Sequence, residues 1–222
     1  MSKLYIVGTP IGNLRDISIR ALHVLEDVDL ILCEDTQMTK KLLNCYNIDT
    51  PVDSYHQHSR LRKINKIVDL LKKGANLALV SDSGTPGVSD PGNKLIEKIK
   101  DIAEIIPIPG PSAITAIASI SGFPMDKFIF LGFPPNKKGR NKFFKKIADF
   151  KYPIILYESP YRILKTLKEL NNVGEFDIVV GRELTKKFET VYQGNIREVI
   201  KQLEKEKPRG EFVIVTRPLM RS

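Results

Sequence analysis

The 222-residue chain is 42% hydrophobic and 27% charged, which is globular composition with length for one large domain or two small ones. No apolar run is long enough to span a bilayer and Met1–Gly8 leads straight into a strand pattern, which excludes membrane segments and a secretory leader. Two cysteines, Cys33 and Cys45, make no disulfide framework and fit a reducing, cytoplasmic setting. The charge of +9 is unevenly spread: residues 1–110 hold 14 Lys and Arg against 14 Asp and Glu, so the whole excess lies beyond them, where it suits a polyanionic partner.

Leu4–Val7 reads as a first strand running into Gly8-Thr9-Pro10-Ile11-Gly12-Asn13-Leu14. That turn lacks the full dinucleotide fingerprint, and no phosphate-loop motif occurs anywhere. Asp16 or Ser18 can cap a helix in which Ile17, Ala21, Leu22, Leu25 and Val28 recur at helical spacing. Leu30–Cys33 is a second short buried strand, closed by Glu34-Asp35-Thr36, and 36–45 looks helical. A weak strand over 51–55 precedes His56-Gln57-His58. An i, i+2 histidine pair without further ligands is no metal site, so a polar loop before a helix capped by Ser59 is expected, with no metal. In that helix Leu61, Ile64, Ile67, Val68 and Leu71 share a face, and Gly74 ends it.

Ala75–Val80 then feeds Ser81-Asp82-Ser83-Gly84-Thr85-Pro86-Gly87-Val88-Ser89-Asp90-Pro91-Gly92. A strand leading to a rigid polar loop and then a helix, here capped by Asn93, is where an open α/β sheet binds its ligand. Ile105–Ile108 is the next strand. Pro109-Gly110-Pro111 must turn, and Ser112 caps a helix of small residues, Ala113, Thr115, Ala116, Ala118 and Ser119. The pattern gives an α/β domain with a mostly parallel sheet over residues 1–111, and a junction where the charge balance changes.

Residues 112–222 form the second, basic α/β domain. Phe128–Phe133 reads as a strand followed by Pro134-Pro135-Asn136, and 137–151 holds seven basic residues against one acid, Asp149. In a helix over about 141–150, Phe143, Ile147 and Phe150 point to the core. Lys137, Lys138, Arg140, Lys142, Lys145 and Lys146 are left for solvent or phosphate. Ile154–Tyr157, Phe176–Val180 and Glu211–Thr216 are further strands, with Pro160 at a helix start and a last helix over about 195–206.

Eight motifs stand in order along the chain. They are Val7–Leu14, Cys33-Glu-Asp-Thr36, Ser81–Gly92, Pro107–Ala113, Phe130-Leu-Gly-Phe133, Tyr157-Glu-Ser-Pro160, Arg182-Glu-Leu-Thr-Lys186 and Gly210-Glu-Phe-Val213. Together they resemble the small-subunit ribosomal RNA cytidine 2′-O-methyltransferases of the tetrapyrrole methylase superfamily. The chain departs from that pattern with Gln37 where Arg is common, Ser83 where Ala is common and Tyr161 where His is common.

The resemblance implies two α/β domains with S-adenosylmethionine in the cleft between them, a homodimer, and a cytidine of the decoding region of 16S rRNA as acceptor, free or in the small subunit. Pro10, Asp82, Thr85, Ser112 and Ala113 would line the cofactor, with Tyr157, Leu184 and Thr216 from the second domain. A ribose hydroxyl is a poor nucleophile, so a base or stabilising cation is expected. Glu183 and Lys186 are the leading pair, with Asp35 and Glu158 as further candidates. Two other readings are a tetrapyrrole-precursor methylase of the same superfamily, disfavoured by the basic second half, and a non-catalytic RNA-binding assembly protein, for which the elaborate loop has no purpose.

Overall fold

The first strand, β1 (Lys3–Val7), is the axis of a parallel sheet in a computed structural model that describes residues 1–56 and 61–219. Its neighbours are β4 (Leu77–Leu79) and β5 (Glu104–Ile108), with Leu4 in register with Leu77 on one side and Ile105 on the other. Beyond β4 lie β2 (Leu30–Cys33) and β3 (Val52–Ser54), giving the order β3-β2-β4-β1-β5 with every pairing parallel. Parallel strands are buried on both faces, most completely here in β2 and β4. Val7, Ile31, Cys33, Ala78 and Ile108 pack with residues of α1 (Ile19–Asp27) and α2 (Thr36–Cys45), whereas Leu4, Ile6, Leu32, Leu77 and Leu79 pack with α3 (Leu61–Lys72) and α4 (Asn93–Ile99).

Helix starts follow local chemistry. Ser18 Oγ accepts the Ala21 amide to cap α1, while Asp16 falls in a 3-10 turn, Leu14–Asp16. Gly92, not Asn93, occupies the cap position of α4; the Asn93 amide instead donates back to the Gly87 carbonyl and pins the preceding loop. The expected Ser59 cap and the His58 half of the histidine pair lie outside the described residues.

The chain forms two compact units, Met1–Ser112 and Ala113–Ser222. The second is built on a mixed sheet of order β6-β7-β10-β8-β9, from β6 (Ile129–Phe130), β7 (Ile154–Glu158), β8 (Phe176–Arg182), β9 (Thr190–Asn195) and β10 (Phe212–Pro218). Only β6–β7 is parallel; β10 runs antiparallel between β7 and β8, and β9 is an antiparallel edge not expected from sequence. Ile154, Leu156, Ile178, Val180, Phe212 and Ile214 make one apolar face beneath α6 (Arg140–Ala148), α7 (Ile163–Val173) and α8 (Ile196–Leu203). The small-residue helix α5 (Ala113–Ile120) lies against β8 and β10. Among the described residues no helix is long and apolar enough to cross a membrane.

Candidate functional site

Three loops leave the carboxyl edge of the first sheet from adjacent strands β4, β1 and β5, and the backbone ties them together. Thr9 and Gly84 exchange main-chain hydrogen bonds of 2.8 and 3.1 Å, an isolated bridge joining the turn after β1 to the long loop after β4. Thr9 Oγ1 adds bonds to the Ser81 and Gly84 carbonyls at 3.1 and 3.3 Å. On the other side Gly8 donates to the Ile108 carbonyl at 3.0 Å, and a Cβ built on Gly110 would stand 2.5 Å from the Gly8 carbonyl oxygen. Only glycine permits that approach. The loops carrying Pro10, Asp82 and Thr85, and the segment leading to Ser112, are thus held as one edge. Thr9 and Gly110 were not singled out from the sequence; the glycine in each of two separate turn motifs was the available signal.

Carboxylates gather at this edge. Asp82 Oδ1 accepts the Asp35 amide at 3.0 Å, and Asp35 Oδ1 accepts the amides of Gln37 and Met38 at 2.7 and 3.2 Å. Asp35 is therefore the N-cap of α2, a task that already occupies one of its carboxylate oxygens. Glu34, which with Asp35 closes β2, and Asp90, in the loop after β4, join them. Burial, followed by the negative charges of Asp90 and Asp82, pushes the Glu34 carboxyl up. Burial also raises Asp90, reinforced by Asp82 and opposed by a hydrogen bond from Ser81. Crowded carboxylates with raised pKa values favour a cationic ligand, which relieves their repulsion. Among the described residues, no group of three or more His, Cys, Asp or Glu is arranged to hold a metal ion.

In the second unit Glu183 and Lys186 meet. Glu183 sits just past β8 with φ of 53°, and Thr185 follows with φ of 67°, a left-handed conformation that side chains other than Asn and Asp seldom adopt. The strain is held by specific bonds. The Glu183 amide donates to the Glu211 carbonyl at 2.9 Å, and Glu183 Oε1 accepts both the Glu211 amide at 2.8 Å and Lys186 Nζ at 2.9 Å. Lys186 Nζ also reaches Glu211 Oε2 at 2.9 Å. Gly210 closes the hub: its φ is 81°, and a Cβ there would lie 2.4 Å from the Glu183 side chain. Burial alone would raise Glu183, yet the hydrogen bonds from Lys186 and the Glu211 amide, with the charges of Lys186 and Arg182, hold its carboxyl below the usual range. Burial would lower Lys186, but its two carboxylate partners hold it above the usual lysine range. The pair is accordingly an ionised carboxylate and a fixed cation. Such a lysine stabilises developing negative charge better than it removes a proton.

Other expected residues take varied places. Tyr157 packs edge-on to Phe130 at 5.0 Å and tilted to Phe133 at 5.6 Å between ring centroids. Leu184 is buried beside Gly181. Thr216 is fully buried, in register with Ile154 and Ile178 of the helix-covered face, and its Oγ1 has no hydrogen-bond partner. Its side chain therefore shares the face of that core.

Two expectations for the basic segment are corrected. Arg140 does not face solvent: it is 4% exposed, bound to Glu169 at 2.6 Å, to Thr166 Oγ1 at 2.6 Å and to the Pro135 carbonyl at 2.8 Å, with its guanidinium over the Phe144 ring. A cation this buried persists because it is ion-paired and each guanidinium nitrogen is hydrogen-bonded. The core face of α6 is accordingly Arg140, Phe144 and Ile147, with Phe143 and Phe150 only half-buried. Lys137, Lys138, Lys142, Lys145 and Lys146 are all exposed. Glu158 is likewise consumed. Its carboxylate accepts the Ser159 amide at 2.8 Å, Arg162 at 2.8 Å and Thr166 Oγ1 at 2.5 Å, which leaves it no freedom as a base.

Residues 3–200 match the family model described as Tetrapyrrole (Corrin/Porphyrin) Methylases. A Thermotoga maritima protein named ribosomal RNA small subunit methyltransferase I is 45% identical over 217 residues, spanning 97% of this chain and 98% of the relative. One of the same name from Mycoplasmopsis pulmonis is 46% identical over 218 residues, spanning 97% of each. Among solved structures, a cobalt precorrin-4 methyltransferase of cobalamin biosynthesis superposes with a TM-score of 0.73 at 19% identity, covering 97% of this chain and 94% of its own. A diphthine synthase superposes at 0.75 with 14% identity, covering 97% and 90%. The structural likenesses establish the fold, and the family match with the full-length sequence relatives establishes the lineage: the chain belongs to the tetrapyrrole methylase family, a family of methyltransferases.

Proposed function

We propose that this protein is an S-adenosylmethionine-dependent methyltransferase that methylates the ribose 2′-hydroxyl of a cytidine in the decoding region of 16S rRNA. The observation that carries this reading is end-to-end similarity to relatives named ribosomal RNA small subunit methyltransferase I, at 45% identity over 97% of the chain. The basic excess beyond residue 110 suits a polyanionic substrate such as RNA.

The residues present fit the cofactor. S-adenosylmethionine carries an ammonium and a sulfonium and, when bound, supplies an electrophilic methyl group. Asp82, Glu34 and Asp90 give the first-unit edge the negative charge such a ligand calls for, and the locked turns at Pro10 and Thr85 offer main-chain atoms. Under this proposal Ser112, Ala113, Tyr157 and Leu184 complete the cofactor contacts. Thr216, whose side chain shares the helix-covered face, contributes through its backbone. Holding donor and acceptor in line accounts for roughly 7–11 kcal/mol of the barrier in reactions of this kind. The acceptor ribose oxygen would receive that methyl group, and its hydroxyl proton would pass to solvent. Lys186 lends positive charge to that oxygen, Glu183 fixes Lys186, and Asp35 acts by capping α2. A cytoplasmic homodimer is part of the proposal.

Ribose methylation has a direct chemical signature, because a 2′-O-methyl group blocks alkaline cleavage of the adjoining phosphodiester. Methyl label transferred to unmodified small-subunit rRNA is expected in one alkali-resistant dinucleotide beginning with cytidine. Label released as a methylated-base mononucleotide overturns the ribose assignment.

A further inference from the structure

A buried polar network in the second unit fastens two surface loops to each other. Arg162 donates to the Pro134 carbonyl at 3.2 Å and to the Asn136 side chain, and its guanidinium also pairs with the buried Glu158 at 2.8 Å. Through Thr166, Glu158 is linked to Arg140, which grips the Pro135 carbonyl from the other side. The turn after β7 and the loop after β6 are therefore one rigid rim. Each carries an outward aromatic next to its fastened residue: Tyr161, 95% exposed, precedes Arg162, and Phe133, 53% exposed, precedes Pro134. Lys137 and Lys138 follow Asn136 in the same loop, both exposed.

A lone exposed aromatic is ordinary. Two exposed aromatics on loops fastened to each other, with two exposed lysines further along one of those loops, have the chemistry of sites that bind unpaired nucleic acid: rings stack on bases while lysines meet the backbone. We propose that Tyr161, supported by Phe133, is a stacking platform for an unpaired nucleobase of the RNA substrate, with Lys137 and Lys138 meeting the adjacent phosphates. This rests on the RNA reading above and adds to it that the substrate is engaged where a base is free to leave its helix. The contact between Phe133 and Tyr157 connects the platform to an expected cofactor residue through packed rings.

The chain has no tryptophan, so Tyr161→Trp carries the sole indole and keeps a stacking surface. Oligocytidylate is expected to quench its emission, whereas inorganic polyphosphate of matched charge is not. Tyr161→Ala is expected to bind oligocytidylate about 5–100-fold more weakly, with the salt slope and the unfolding midpoint of the wild type, while Tyr161→Phe binds as the wild type does. Emission unmoved at saturating oligocytidylate, or wild-type affinity in Tyr161→Ala, overturns the platform. Emission that changes with protein concentration alone also overturns it, by identifying a contact between copies. If the wild type methylates rRNA in either of those cases, only the platform falls; if it binds neither oligocytidylate nor rRNA, the RNA reading falls with it.

Discussion

Glu183 shows how a residue on a catalytic-looking motif is constrained before any substrate arrives. Its left-handed backbone is unfavourable for a side chain of this kind, and the surrounding bonds from Glu211 and Lys186 hold it there. Its carboxyl lies below the usual range and Lys186 above it, so the sign of the linkage is fixed for each. The Glu183 contribution to stability is present above the unfolded glutamate pKa of about 4.3 and is lost as pH falls through the lower folded value. The Lys186 contribution is present below about 10.4 and is lost as pH rises through the higher folded value. Between those limits Glu183→Gln is expected to cost about 1 kcal/mol in urea unfolding, from loss of charge-assisted bonds. The gap to wild type should close in acid, below pH 4; a gap that persists undiminished at the lowest pH would show that the charge of Glu183 contributes nothing.

Strands and helices differ in how openly the sequence announces them. Continuous apolar runs such as Leu30–Cys33 and Leu77–Leu79 mark parallel strands covered on both faces, and the structure has them there. The edge strand β9 escapes because only Tyr192 points to the core, while Val191 and Gln193 face outward and Gly194 interrupts the pattern. In α6 the spacing of Phe143, Ile147 and Phe150 suggests one face, but Arg140 turns the helix by finding Glu169 and Thr166. A buried ion network pairs residues distant in sequence and leaves no local trace. Asp82 was legible because it follows a buried strand, whereas the Thr9–Gly84 bridge that steadies its loop joins segments 75 residues apart. The exposed side of α6 keeps its expected chemistry. Lys142, Lys145 and Lys146 have no part in that network, so changing all three to Gln is expected to shift stability by no more than about 0.5 kcal/mol each. RNA affinity should nevertheless lose salt dependence, by roughly 0.7–0.9 in log–log slope for each phosphate contact removed. An unaltered slope would place the RNA elsewhere.

At the scale of the molecule, two units differ in charge in the way the proposed reaction requires. The neutral first unit gathers carboxylates at the carboxyl edge of a parallel sheet; the second carries the whole basic excess, with its lysines on the outer side of α6 and on the loop before it. A cationic donor suits the first and a polyanionic acceptor the second, and both demands follow from elementary electrostatics. The fold shared with a cobalt precorrin-4 methyltransferase at 19% identity says nothing of substrate, and a tetrapyrrole precursor is the one rival acceptor to test. The direct test is a competition: purified protein, methyl-labelled S-adenosylmethionine, and equal access to unmodified small-subunit rRNA and a porphyrinoid precursor. Label recovered in the rRNA, with wild-type turnover falling when Lys186 is replaced by Met, is the expected result. Label in the porphyrinoid, or in neither acceptor, contradicts it.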